Sequence, residues 1–451
     1  MSENIKVIEN ATCTFCGCVC DDQKLTVDMD ERRITKVQNT CVLGRAWFTE
    51  HKHVERPFAL IDGKEATTEE AVEAAAQILA NAKFPVTYGL SDTTSEAQRE
   101  AVAIADLLGG SIDTTTSVCH GPSGIAFEGV GESTSTLGEI KNRADFLMFW
   151  GGNPAESHPR LFARYTVTPK GMYVPNGKKD RTVVLVDVRR TKSAPVADIF
   201  LQVKPGSDFD LLWALRALVK GRWVDGELIE QRTGIKLEVI QDLAERMKSC
   251  RFGALLFGMG LTMTRGRQFN SGALLALATD LNEFTHFVAK PVRGHGNVTG
   301  ADNVMSWQTG FPFGVNFSRG YPRFNPGEFT TVDLLARGDA DAALVIAADP
   351  ASNFPKPAIE HMKRIPVIVL DPKETETSRI AKVAFTTATY GINTPGTVYR
   401  MDDIAISLRP AFDSPYPSDR EILGAIKERL RALRGSDGPT ESLRQISAIP
   451  A

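Results

Sequence analysis

The sequence predicts a mixed α/β fold made of two similar halves behind a small cysteine-rich cap. Three observations predict it. Five of the seven cysteines lie between Cys13 and Cys41, short β-branched runs alternate with Ala/Leu-rich helical stretches through the middle of the chain, and the ends of two of those runs repeat one another. The cap carries two β-like stretches, at residues 24–27 and 34–37. Beyond it, residues 85–90, 146–150, 182–186, 254–257, 342–347 and 367–370 have the continuous apolar character of strands buried on both faces, as a mostly parallel sheet requires. Residues 421–434 form a polar helical stretch, and 435–451 have the composition of a disordered or partner-bound tail.

At 451 residues the chain exceeds one ordinary core and divides by pattern into four regions. These are a cap over 1–55, one α/β unit over 56–114 together with 297–410, a second over 115–296, and a C-terminal helix and tail over 411–451. With 42% hydrophobic and 24% charged residues and a formal net charge of -3, the chain presents no large basic field. That excludes a charge-driven nucleic-acid or anionic-membrane role and leaves small molecules and proteins as ligands. Residues 1–11 contain no basic stretch leading into an apolar one, and no segment reaches the roughly 18 apolar residues of a membrane span, so the expected location is the cytoplasm. A reducing compartment favours metal binding over disulfides for the cysteine cluster.

The repeat is specific. Trp150-Gly151-Gly152-Asn153-Pro154-Ala155, with Pro159 six residues after the Asn, echoes Ala347-Ala348-Asp349-Pro350-Ala351, with Pro355 six after the Asp. Each copy leads to a second strand ending in Asp, at Asp187 and Asp371, which implies two nucleotide-binding halves.

Cys13, Cys16 and Cys20, with Cys41 twenty residues further on, supply three thiolates from a tight loop and are expected to take a fourth from a returning strand. An iron–sulfur cluster needs that arrangement, and zinc is the alternative that spacing leaves open. Cys18 falls outside the register and reads as a spare thiol. This cysteine pattern, the repeat and the motifs below resemble the molybdopterin oxidoreductases of the formate dehydrogenase and dimethyl-sulfoxide reductase type over residues 10–410. The resemblance implies a [4Fe-4S] cluster on Cys13, Cys16, Cys20 and Cys41. Many relatives place a Lys two residues after the fourth Cys; this chain has Leu43 there, and Arg45 is the expected substitute.

Val118-Cys119-His120-Gly121-Pro122-Ser123 follows a strand-like stretch at 111–114 and precedes a helix that Pro122 can start. The dipeptide Cys119-His120 is by itself an ordinary loop pair. By resemblance to formate dehydrogenases, Cys119 is the ligand of molybdenum or tungsten and His120 the proton-handling group. Lys290-Pro291-Val292-Arg293-Gly294-His295-Gly296-Asn297 is similar to the stretch that supplies the active-site arginine of that family, which gives Arg293 the grip on a formate carboxylate; the alternative is a surface salt bridge.

The resemblance also implies a bis(molybdopterin guanine dinucleotide) cofactor. Gly151, Gly152 and Asn153 are the phosphate-side candidates of one half, Asp187, Arg189 and Thr191 the nucleotide-edge readers, and Asp208, in Pro205-Gly206-Ser207-Asp208, the guanine contact. Gly258, Gly260, Asp349, Asp371 and Thr375 are expected to serve the other half. Strand-terminal Asp and Gly also shape turns without binding anything.

Typical members continue into a β-barrel that this chain lacks. Together with Gln308-Thr309-Gly310-Phe311-Pro312-Phe313 and the stretch from Phe317 to Glu328, this resembles the B subunits of formylmethanofuran dehydrogenases. The resemblance implies interconversion of carbon dioxide and formate, with an amidohydrolase A subunit, a C subunit, a barrel-bearing D subunit and ferredoxin-like carriers as partners. A formate dehydrogenase catalytic subunit, and a non-redox structural subunit of a methylotroph formyltransferase/hydrolase complex, are the other readings. Cys250 is expected to be a small core residue.

Overall fold

The computed structural model describes residues 4–51 and 54–434; the tail expected at 435–451 lies outside the described residues. The cap is a three-stranded antiparallel sheet of β1 (Ile5–Ala11), β2 (Gln23–Asp28) and β3 (Arg33–Gln38). One apolar cluster joins it to a face of the next sheet, with Leu25, Phe48 and Cys13 packed in common with Leu147, Phe149 and Leu161.

Two further sheets follow. Their strands are numbered along the chain as β4 (Ala59–Ile61), β5 (Lys64–Ala66), β6 (Pro85–Gly89), β7 (Ser111–Thr114), β8 (Phe146–Trp150), β9 (Thr182–Asp187), β10 (Ile199–Gln202), β11 (Phe252–Phe257), β12 (His286–Pro291), β13 (Val315–Asn316), β14 (Arg323–Phe324), β15 (Ala342–Ile346), β16 (Val367–Asp371), β17 (Val383–Thr386), β18 (Gly396–Tyr399) and β19 (Ala405–Leu408). The five-stranded sheet runs β10-β9-β8-β11-β12, all parallel. The nine-stranded sheet runs β14-β13-β7-β6-β15-β16-β17-β4-β5, with a parallel centre from β7 to β17 and antiparallel additions at both edges. β18 and β19 form a separate hairpin.

The central strands are buried on both faces. In β8, Phe146, Met148 and Trp150 face one core while Leu147 and Phe149 face the other, so the run is apolar without alternation. Residue 253 is glycine because the Phe287 ring lies over it from the paired strand; a Cβ there would stand 2.0 Å from the ring.

The two parallel centres have one architecture. β17-β16-β15-β6-β7 matches β10-β9-β8-β11-β12 strand for strand, and backbone bonds repeat: Gly151 N–H to Val186 O at 2.9 Å and Ala347 N–H to Leu370 O at 2.8 Å; Gly258 N–H to Trp150 O at 2.9 Å and Leu90 N–H to Ile346 O at 3.0 Å. The halves enter this order at different points, because the chain builds β6 and β7, leaves to complete the five-stranded sheet, and returns to add β15, β16 and β17. Each departure is also an exchange. The helix Gly121–Val130, which follows β7, packs on Gln268–Leu281 of the other half, and Val298–Thr309, which follows β12, packs on Ser95–Leu108. The C-terminal helix Asp419–Arg434 packs on Thr68–Asn81 and Ser95–Leu108, as Asp208–Val219 packs on Leu237–Ser249 and Gln268–Leu281.

Gly253→Ala is expected to destabilise the chain by about 1–3 kcal/mol, because the buried Phe287 ring has no room to withdraw. Chemical denaturation checks this, and an unchanged midpoint would contradict the packing.

Candidate functional site

The two crossings between the sheets lie side by side. After β7 the chain turns through Thr115–Val118 to Cys119 and His120; after β12 it passes through Val292 to Arg293 and Gly294. By strand register, Thr116 and Arg293 occupy equivalent positions, two residues beyond Thr114 and Pro291. They are bonded to each other. Arg293 Nη2 donates to Thr116 Oγ1 and to Asp302 Oδ2, Thr116 Oγ1 donates to Asp302 at 2.8 Å, and Thr114 Oγ1 donates to Asp302 at 3.0 Å. Arg293 is 7% exposed, so it is no surface salt bridge. Burial works against its charge, but Asp302 more than restores it, and the guanidinium stays protonated.

Cys119 is half buried, its carbonyl accepting from Thr262 Oγ1 at 3.2 Å. Burial pushes its thiol up, Arg293 pulls it down and Asp302 pushes it up again. His120 is buried, with Nδ1 3.3 Å from Ser123 Oγ and the Val292 backbone also beside the ring. Burial and the Arg293 charge lower its pKa to about 3, which keeps the ring neutral. Arg293, Cys119 and His120 therefore share one electrostatic environment. Glu132, raised to about 7 by burial, also feels Arg293.

The cysteine loop adjoins the second crossing. Gly17 N–H donates to Gly294 O at 3.3 Å, and a Cβ on Gly17 would stand 2.4 Å from Arg293 O. Gly296 sits equally tightly on Thr14 O, which also accepts from Tyr390 Oη at 2.8 Å. Cys13, Cys16, Cys18, Cys20 and Cys41 line one small cavity, and a Cβ on Gly44 would stand 2.6 Å from Thr40 Oγ1 and 3.0 Å from Cys13 Sγ. Cys41 is the N-cap of Val42–Thr49, its sulfur accepting from Gly44 N–H at 3.4 Å, so the fourth thiol is placed by a helix start and not by a strand. Cys18 shares this cavity with the other four and hydrogen-bonds Cys16, holding the Cys16 thiol down while its own is raised. Burial raises Cys13 well above the ordinary thiol range and Cys20 to about 12, with Arg160 and Arg164 opposing at Cys20. Those two arginines tie Asp21 and Asp22 of the cap to the first half. Among the described residues, no three His, Cys, Asp or Glu side chains are grouped to hold a single metal ion.

A cleft of about 610 Å³ opens between cap and halves. Cys16, Trp47, His158, His295, Asp371 and Tyr390 are among its walls, and Asp92 joins Tyr390 and His295 by bonds of 2.9 and 3.1 Å. Leu43 and Trp47 line it, Arg45 is exposed and outside the lining, and the cation that does reach it is Lys373, 5.9 Å over the Trp47 ring.

The strand ends carry the remaining expected residues. Asn153 and Asp349 have one backbone conformation, φ -123° and ψ 68° in both, and each accepts from a hydroxyl six residues beyond the strand-ending Asp: Ser193 Oγ at 2.7 Å and Thr377 Oγ1 at 2.6 Å. Gly151 (φ 58°) and Ala347 (φ 47°) take the same left-handed turn. Gly152 stands beside Gly258, whose Cβ would lie 2.9 Å from it. Gly258 and Gly260, expected to serve the half with Asp349 and Asp371, lie instead against the strand end at Gly151: Gly260 N–H donates to Gly151 O at 2.8 Å. The reason is topological, since β11 neighbours β8. Asp187 accepts from Arg189 N–H at 3.2 Å and Asp371 from Lys373 N–H at 2.8 Å; Arg189 is exposed, Thr191 accepts from Ser193 N–H, and Thr375 caps a short helix. Asp208 accepts from Trp150 Nε1 at 2.9 Å and leaves Oδ2 buried without a partner. Asp349 is held low by hydrogen bonds from Ser352 and Thr377 despite partial burial, whereas burial lifts Asp371 to about 7. Cys250 is half buried against Met247 O, away from these groups.

Sequence reasoning does not find Asp302, His158 or Asp419. Asp419 carries a signal all the same: Ser418-Asp419-x-Glu421-Ile422-Leu423 repeats Ser207-Asp208-x-Asp210-Leu211-Leu212. It is buried and accepts from Thr93 Oγ1 at 2.6 Å, with the Thr387 hydroxyl also opposing the burial that raises its carboxyl.

Asp302→Ala is expected to cost about 3–5 kcal/mol by leaving the Arg293 charge buried and unpaired. The denaturation midpoint reads this, and adding Arg293→Met should recover most of the loss; a midpoint unmoved by Asp302→Ala would refute the pairing.

No family model matches the chain. The B subunit of the tungsten-containing formylmethanofuran dehydrogenase 2 of Methanocaldococcus jannaschii is 42% identical over 438 residues, covering 95% of this chain and all of that protein. Formate dehydrogenase H of Escherichia coli is 26% identical over 335 residues, 62% of this chain and 44% of that one. Among solved structures, a chain of the formyltransferase/hydrolase complex from Methylorubrum extorquens, crystallised with methylofuran, superposes with a TM-score of 0.69 at 25% identity, covering 84% of this chain and 100% of that one. With this identity over nearly its whole length, and with the sheet architecture and repeated strand ends described above, the chain belongs to the B-subunit family of formylmethanofuran dehydrogenases, oxidoreductases related to the molybdopterin-dependent formate dehydrogenases.

Proposed function

We propose that this chain carries the redox step of a formylmethanofuran dehydrogenase complex, CO2 + 2 e⁻ + H⁺ ⇌ HCOO⁻, at the junction of its two crossings. The observation that carries the reading is that Cys119 and His120 both feel the charge of the buried Arg293, which Asp302 and Thr116 hold in place. Arg293 grips the carboxylate of formate through the guanidinium edge that Asp302 and Thr116, both on Nη2, leave free. His120, neutral at rest, offers its ring to the substrate proton; a bound carboxylate offsets the Arg293 charge that keeps the ring from accepting one.

The chain's residues suit a bis(molybdopterin guanine dinucleotide) with tungsten or molybdenum. Gly151, Gly152 and Gly258 pack backbone against backbone at the ends of β8 and β11, so a phosphate arriving there would meet main chain and not side chains, and Asp208 keeps a buried carboxylate oxygen unused, as a guanine edge with its donors requires. Cys119 would supply a soft sulfur donor to the metal. Bound there, the metal pterin provides a two-electron couple. Cys13, Cys16, Cys20 and Cys41 would hold a [4Fe-4S] cluster. Their shared cavity supports this, since a cubane takes thiolates from one tight loop closed by a distant fourth. Cys18 lines the same cavity but falls outside the spacing of the other four and is left out of the ligand set. The division into a cap, two α/β units exchanged at 114/115 and 296/297, and a C-terminal helix belongs to the same reading. So do the partners: an amidohydrolase A subunit that takes formate on to the C1 carrier, a C subunit, a barrel-bearing D subunit and ferredoxin-like carriers.

A non-redox role is the second reading, favoured by the likeness over the whole of the Methylorubrum chain. Metal content separates the two. Cys13→Ala is expected to remove the iron and the iron–sulfur absorbance from the purified complex, and retained iron would refute the ligand assignment. Cys119→Ala should abolish formate-dependent dye reduction with the cluster intact; wild-type turnover would end its assigned role.

A further inference from the structure

We propose that His158 is a positioning residue for Arg293, holding its carbonyl through a fixed Nε2–H tautomer and so setting where the guanidinium meets the substrate. The proposal rests on the reading of Arg293 as the group that grips the carboxylate.

His158 ends the short helix Pro154–Ser157 and precedes Pro159. Its ring is buried and has both nitrogens engaged: Nε2 lies 2.7 Å from Arg293 O and Nδ1 2.8 Å from Ser157 Oγ. A carbonyl can only accept, so Nε2 carries the hydrogen and Nδ1 accepts from the Ser157 hydroxyl. Burial, only partly opposed by the bond to Arg293 O, lowers the ring pKa to about 4, so this tautomer is neutral throughout the physiological range. Neither nitrogen is left for chemistry.

The internal repeat shows that packing does not ask for a histidine here. Counting from Asn153 and Asp349, the equivalent residue in the other half is Phe354, also buried, also before a proline, packed edge-on against Tyr88 at 4.9 Å. A hydrocarbon ring meets the steric need of the position. The polar ring stands where the neighbouring crossing carries Arg293. The same carbonyl is confined from the opposite element by Gly17, where no Cβ fits. Held from both the first half and the cap, the Arg293 backbone cannot rotate without breaking one contact or the other, and displacement of a substrate-gripping group by about 1 Å can cost up to about 100-fold in rate.

The test uses the purified, metal-loaded complex and formate-dependent dye reduction, with iron and tungsten counted in each preparation. His158→Phe keeps the ring that the repeat tolerates and removes the donor. It should raise the KM for formate by about tenfold, the worth of one hydrogen bond, and move kcat by less, with metal content unchanged. His158→Gln, which retains an N–H donor, should restore most of the loss. Because His158 acts through Arg293, the double variant His158→Phe/Arg293→Ala should have the same KM as Arg293→Ala alone. An unchanged KM in His158→Phe, or effects that multiply in the double variant, would overturn the proposal. If Arg293→Ala itself leaves the KM for formate unchanged, the reading of Arg293 fails first and this one with it; a raised KM in Arg293→Ala beside an unchanged one in His158→Phe rejects His158 alone.

Discussion

A buried guanidinium, shared between a carboxylate and a hydroxyl, holds the two halves of this protein together at their centre. Arg293 comes from one crossing and Thr116 from the other, and Asp302 accepts from both. An arginine so deeply removed from water is tolerable only with a counter-charge and satisfied geometry, because desolvation of the ion costs several kcal/mol and only a well-placed carboxylate offsets it. Asp302 meets that condition with further bonds from Thr114 and Thr116, all on the segment that leads to Cys119. The placement of Cys119 and His120 relative to Arg293 therefore follows from a charge that must not be left alone.

Duplication explains why the groups meet there. Two parallel centres with one strand order put equivalent loops at equivalent strand ends, and the exchange of the helices Gly121–Val130 and Val298–Thr309 brings the loops after β7 and β12 together. Like backbones then carry unlike chemistry: Thr116 against Arg293, Asn153 against Asp349, His158 against Phe354. Where the repeat keeps the residue type, as at Asp187 and Asp371 or Asp208 and Asp419, both copies end a strand or begin a helix, and the strand-ending pair stands at the carboxyl ends of parallel strands, the region where such sheets bind ligands.

Much of this is legible from residues alone. The apolar runs at Phe146–Trp150 and Val367–Asp371 announce strands buried on both faces, and the Asn153/Asp349 repeat announces the duplicated strand ends, because both signals are local. The short antiparallel strands β4, β5, β13 and β14 escape detection, since two- and three-residue segments take their conformation from an existing sheet edge and carry no period of their own. Gly258 and Gly260 are expected in the wrong half because sequence order does not reveal that β11 sits beside β8. Arg45 is the natural cation near the cap by proximity in sequence, yet Lys373 arrives there from more than three hundred residues away. Asp302 sits in a helix with nothing in its neighbours to mark it, and only the burial of Arg293 gives it meaning.

The contact between the cysteine loop and the second crossing extends this dependence to the cap. Gly17 against Arg293 O and Gly296 against Thr14 O are backbone-to-backbone approaches, so neither loop can shift without moving the other. Cys13 and Cys20 are buried among the other thiols, and burial with mutual repulsion disfavours their charged forms until a cation shares the cavity. Whatever neutralises them stabilises the loop, and by linkage stabilises the partner loop that carries Arg293. The salt bridges of Arg160 and Arg164 to Asp21 and Asp22 anchor the same cap to the half that supplies His158, closing a circuit in which the cysteine loop, the arginine loop and the strand end at Asn153 fix one another. A chain built this way has no independent cap: the cysteine loop and the arginine loop are ordered by the same few backbone contacts.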